Sequence, residues 1–190
     1  MHSLARHFLA IDPGATTGFA ALHAHANREP TFTLSQYDTR SPGSAGFVAL
    51  ASTLRRYSAA PGTIVTIEDF QIRASANAKG ANRNWGLQPV AITGALQGFL
   101  AAYELPTDQW IYQTASLAMS SFPDARLQQV CPVWFDYTVG YPHARDAARH
   151  LLTYLKQRQP ALFQAAKAAT PHVGKPLQTP AKRARRSPAC

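Results

Sequence analysis

Cysteine is nearly absent from this chain. Only Cys131 and Cys190 occur in 190 residues, and neither belongs to a Cys-x-x-Cys pair. Both facts argue against a disulfide framework or a structural zinc site and fit a reducing cytoplasm. Long hydrophobic runs are missing as well. No stretch reaches the ~18 apolar residues of a membrane span. The opening MHSLARHFLAIDPG enters an expected strand directly, without the apolar segment and small-residue cleavage site of a secretory leader. Acids are missing from one region: residues 156–190 hold eight Lys/Arg and no Asp or Glu, whereas residues 1–155 hold eleven Lys/Arg and ten acids. The net charge of +9 thus belongs mainly to the C-terminal segment.

That asymmetry suggests two parts. Residues 1–158 have the length and apolar content of one well-cored domain. Residues 159–190 read as a basic, Pro/Ala-rich, disordered tail. Its Lys182, Arg183, Arg185 and Arg186 would add salt-sensitive, sequence-independent attraction to phosphates. A plain solubilising end is the alternative.

Strands are expected over residues 6–12, 18–24 and 31–37, forming an antiparallel meander. A helix follows over 44–59, ended by Pro61-Gly62. The β-branched run TIVTIEDF (63–70) reads as a buried strand. Residues 71–84 read as a loop. A long helix begins between 82 and 88, with Pro89 in its first turn, and ends near Tyr103. It is apolar over much of its circumference and carries Gly94 and Gly98 four apart. Such a helix serves either as a fully buried core element or as both core and subunit interface. A short strand is expected at 109–114 and a helix at 142–157, while residues 115–141 show no clear pattern. The order predicts an α/β fold, a mixed β-sheet flanked by helices.

Three acids fall at element ends. Asp12 closes the first strand before Pro13-Gly14. Glu68 lies near the end of the fourth strand, with Asp69 on the opposite face. Asp146 lies in the last helix, in PHARDAARHLLTYL. At 100° per residue, Ala144, Ala147, Ala148, Leu151 and Leu155 form an apolar stripe. His143, Asp146 and His150 lie beside that stripe, and Arg145 and Arg149 point to solvent. Carboxylates converging from three elements repel unless a cation neutralises them. Oxygen ligands suit Mg²⁺, with Mn²⁺ as a substitute. Two such ions ~4 Å apart can drive phosphodiester hydrolysis.

With IDPGATTG, TIEDF and HARDAARH in this order, the chain resembles the RuvC-type Holliday junction resolvases of the ribonuclease-H-like fold, bacteriophage-encoded members above all. The resemblance spans residues 6 to 157. It implies that Asp12, Glu68 and Asp146 bind metal, with His143 as a further ligand or proton carrier. It implies paired nicking of four-way DNA junctions by a homodimer, in recombination and repair, leaving 5′-phosphate and 3′-hydroxyl ends. It also implies a stacking role for Phe70 at the junction and phosphate contacts for Arg73, Lys79 and Arg83. The chain departs from the family in having no lysine from Gly80 to Leu155, where members carry phosphate-contacting lysines. Arg126 or the tail is the expected substitute.

Rival readings remain at this level. An RNA–DNA hybrid or flap nuclease shares the same acids. A non-cutting DNA-binding protein would not need them all. An actin-like ATPase needs two such halves, and 190 residues supply one.

Overall fold

The computed structural model describes residues 6–25, 28–41, 43–70, 87–107 and 110–171. Strands β1 (Arg6–Asp12), β2 (Thr16–Ala24) and β3 (Thr31–Asp38) form the expected antiparallel meander. Helix α1 (Ala45–Ser58) follows, its first turn capped by the Ser44 hydroxyl, which accepts from the Phe47 amide. Strand β4 (Ile64–Glu68) then joins β1 in parallel. Helix α2 (Gln88–Ala101) leads to the short β5 (Ile111–Gln113), parallel to β4.

Residues 115–141, unreadable by periodicity, form three short helices: α3 (Ala115–Ser121), α4 (Asp124–Val130) and α5 (Pro132–Tyr137). Each spans two turns or less, too short for a 3.6-residue pattern to repeat. Helix α6 (Pro142–Arg158) is the long helix expected there, started by Pro142.

The expected boundary at residue 158 does not hold. Helix α7 (Pro160–Lys167) packs on α6, and β6 (Thr170–Pro171) pairs with the start of β3. The reason is in the side chains. Phe163 and Ala166 are buried, and the fully buried Trp134 indole donates to the Ala166 carbonyl at 2.9 Å. Composition alone concealed a helix with one apolar face.

The strand order is β5-β4-β1-β2-β3-β6. Three antiparallel strands, then two that run parallel to the first, make the mixed sheet expected from the order of elements. Side chains alternate across it. Leu9, Ile11, Val65 and Ile67 meet α1 and α2 on one face, through Leu50, Leu54, Ile92 and Leu96. Phe8, Ala10 and Leu22 meet α6 and its neighbours on the other, through Ala147, Leu151 and Trp134. Asp12 and Glu68 continue the α6-facing rows by one step. Among the described residues, no helix is long and apolar enough to cross a membrane.

Candidate functional site

Asp12 is the last residue of β1, and Glu68 the last of β4. Because Ile11 pairs with Ile67 in parallel register, the two acids emerge side by side at the strand ends. The turn after Asp12 is fastened by threonines. Thr17 Oγ1 bonds Gly14 at both its amide and its carbonyl, and Thr39 Oγ1 donates to the same carbonyl at 2.5 Å. Gly14 does not take a positive φ, so its turn needs no left-handed glycine. Gly18 has a different role. A Cβ there would collide with the backbone carbonyl of His143, so its absence lets the start of α6 approach β2.

That close approach delivers His143 and Asp146. His143 Nδ1 lies 3.1 Å from Asp12 Oδ2, and its ring is 44% exposed. One α6 turn beyond Asp146, His150 is buried. Its Nδ1 donates to Gln113 Oε1 at 3.2 Å, and its Nε2 faces Glu68 Oε2 at 3.6 Å. Asp12, Glu68, His143, Asp146 and His150 line one cleft of about 350 Å³, walled by Ala115, Ala118 and Met119 of α3 and by Arg149.

Crowding sets the protonation. Burial pushes the Asp12 carboxyl up to about 7; the His143 contact opposes this, while a shared hydrogen bond with Glu68 and the charges of Glu68 and Asp146 add to it. Burial raises Glu68 too, but hydrogen bonds with His150 and Asp12 outweigh it, and its pKa falls below the ordinary glutamate value. The Asp12 contact holds the His143 imidazole above its usual value against its partial burial. A proton is thus kept among acids that a cation would otherwise neutralise.

The donor set, oxygen-rich with flanking imidazoles, suits a hard divalent cation. The described residues do not stand as a closed cage: no group of three or more His, Cys, Asp and Glu is arranged to hold one ion. They form two close pairs, Asp12–His143 and Glu68–His150, with Asp146 engaged by Arg149.

Arg149 corrects the expectation of a solvent-facing side chain. It is only 5% exposed and binds Asp124, Asp146 and the Phe122 carbonyl. Arg145 is also turned inward, onto Thr138 and Asp124. The short helices α3–α5 cover this side of α6, which a helical wheel drawn against the sheet alone treats as open.

The remaining expected contacts are spread out. Phe70 lies beyond the end of β4 and is 37% exposed. Arg126 is on the exposed side of α4, 5.8 Å from the Phe122 ring centroid, and does not line the cleft. Arg73, Lys79, Arg83, Lys182, Arg183, Arg185 and Arg186 lie outside the described residues. Sequence reasoning missed Gln113 and Asp124. A polar residue inside QWIYQT was the one signal for the first.

No protein-family model and no curated protein matches the chain. Among solved structures it is similar to T. thermophilus RuvC in complex with a Holliday junction substrate. The TM-score is 0.49 at 12% identity, covering 80% of this chain and 96% of that one. The fold itself is the expected mixed β-sheet flanked by helices.

Proposed function

We propose that the protein is a divalent-metal-dependent endonuclease that resolves four-way and other branched DNA by paired nicks. The observation that carries this reading is the arrival of Asp12, Glu68 and Asp146 in one cleft from β1, β4 and α6. These are the acids of the IDPG, TIEDF and HARDAARH motifs. The Asp12 value of about 7 fits this reading, since its burial, with smaller contributions from the nearby Glu68 and Asp146, disfavours a bare carboxylate there and favours a proton or a cation.

In this reading Asp12, Glu68 and Asp146 hold Mg²⁺ or Mn²⁺, two ions per site, with His143 beside them. Such ions, when bound, supply a Lewis acid for the phosphate oxygens and lower the pKa of water. The chain does the rest. His143, half exposed at the cleft, holds a proton at its ring beside Asp12 and can pass it to or from the reacting oxygens. Gln113 fixes the His150 ring so that Nε2 is presented to Glu68. Ala115, Ala118 and Met119 give the cleft an apolar wall that limits water on one side.

The exposed stripe of α2 supports a homodimer. Leu87, Val90, Ala91, Gly94, Gly98 and Ala101 lie on the exposed side, none of them charged. A Cβ at Gly94 or Gly98 would meet nothing within 4 Å, which leaves room for a second backbone. Two sites related by a two-fold axis suit two symmetrical nicks.

The test is cleavage of a four-way junction, a flap, a plain duplex and an RNA–DNA hybrid, each with and without Mg²⁺. Junction nicking that needs Mg²⁺ and is abolished by Asp12→Asn or Asp146→Asn, with junction binding kept, is the expected result. Normal cutting by either variant would remove the site assignment. Preference for the hybrid would move the substrate to RNA–DNA.

A further inference from the structure

We infer that Arg149 is a positioning residue that aims the Asp146 carboxylate into the cleft, and that Asp124 makes this possible by holding Arg149 and offsetting part of its charge. The inference rests on the cation site proposed above.

Arg149 is the one buried Lys or Arg among the described residues. All three guanidinium nitrogens are used, and their acceptors come from three places. Nε donates to the Phe122 carbonyl at the end of α3, at 3.0 Å. Nη2 binds Asp124 Oδ1 at the start of α4, and Nη1 binds Asp146 Oδ1 on α6. A planar fork fixed at two corners has little freedom at the third. Asp146 is therefore held through Oδ1 by an arginine one turn along its own helix, whose guanidinium is in turn anchored from outside that helix by Phe122 and Asp124, while Asp146 lines the cleft.

Charge makes the arrangement productive. A lone buried guanidinium on Asp146 would neutralise it and weaken its attraction for a cation. Asp124 supplies a compensating negative charge, shared with Arg145, which offsets part of the Arg149 charge and leaves more of the Asp146 charge directed toward Asp12 and Glu68. Hydrogen bonds to a ligating carboxylate are how outer groups orient a metal site. Among the described residues no other Lys or Arg lines the cleft.

The experiment measures Mn²⁺ binding to the full chain by titration calorimetry and electron paramagnetic resonance, without DNA. Arg149→Lys keeps the charge and loses the fork. Asp124→Asn keeps the shape and loses the charge, at a carboxylate that is 55% exposed and so tolerant of change. Each is expected to weaken Mn²⁺ binding about 10- to 100-fold and to alter the Mn²⁺ spectrum, while Asp124→Glu recovers most of the affinity. Arg145→Gln removes the other ion pair of Asp124 and should leave Mn²⁺ affinity unchanged. If both main variants lose thermal stability but bind Mn²⁺ as the wild type does, Arg149 is a structural clamp only and the inference is overturned. Tighter binding overturns it too, because Arg149 would then be competing with the cation. Should Arg149→Lys not fold, the Asp124→Asn and Asp124→Glu pair decides alone. Absence of Mn²⁺ binding by the wild type removes the cation site itself, and the inference with it.

Discussion

His143 Nδ1 stands 3.1 Å from Asp12 Oδ2, joining the first turn of α6 to the end of β1 across 131 positions of sequence. Burial raises the proton affinity of Asp12 against this contact, and the contact itself raises that of His143. Asp12 titrates near 3.8 when free and at about 7 in the fold, and His143 lies above its ordinary 6.5.

From these shifts the pH dependence of the metal-free protein follows. Between 3.8 and about 7 the native state binds more protons at Asp12 than the unfolded chain does, so stability is lost as pH rises through that window. His143 has the same sign: its contribution is full below 6.5 and lost as pH rises through its higher folded value. Glu68, lowered in the fold, acts only on the acid side, losing its contribution as pH falls below 4.5. In chelator, the Tm of the wild type should therefore fall from about pH 5 to about pH 8. Asp12→Asn should flatten much of that fall and lie above the wild type at the alkaline end. An unchanged slope in thermal melts would mean that Asp12 is ionised in the fold at all these values.

Gly18→Ala should destabilise the protein by about 1–3 kcal/mol, the usual range for overpacking. The added methyl meets the His143 backbone carbonyl, which cannot rotate away. Gly14→Ala is the contrast, since its Cβ would meet only the Thr16 carbonyl at 3.4 Å. Urea denaturation of both variants checks this. Equal losses would show that the turn, and not the packing of α6, explains the motif's second glycine.

Gly94→Glu should convert the proposed dimer to a monomer at micromolar concentration, as read by sedimentation velocity. The substitution lies on the exposed stripe of α2, and its Cβ meets nothing within 4 Å among the described residues, so the monomer's fold should be unaffected. A wild type that sediments as a monomer would sink the dimer reading.

Much of the sheet was legible because its strands are long or flanked by clear turns. Both β1 and β3 alternate, or run apolar to a charged end, and β4 is β-branched up to Glu68. Asp12 and Glu68 were legible because each stands where an apolar run stops, and Asp146 because it lies beside the apolar stripe of its helix. Arg149 was not, because its burial is created by α3–α5, which are too short to announce themselves by period. Helix α7 was hidden by composition: among alanines and lysines, Phe163 is its single large buried side chain. The pairing of His150 with Gln113 depends on β5, three residues long, sitting beside β4. No local pattern encodes a contact between segments 37 positions apart.

The pairing of β6 with the start of β3 fixes where the basic C-terminal stretch is rooted. Since β3 runs parallel to β1, that root lies at the end of the sheet where β1 begins, and Asp12 lies at the other. A seven-residue strand is about 23 Å long. Any phosphate contact made by Lys182 or its neighbours would therefore trace back to a root a full strand-length from the acids. The nineteen residues beyond Pro171 could span at most ~65 Å when extended. If the protein is the nuclease proposed above, that separation leaves the choice of the bond to be cut to the cleft.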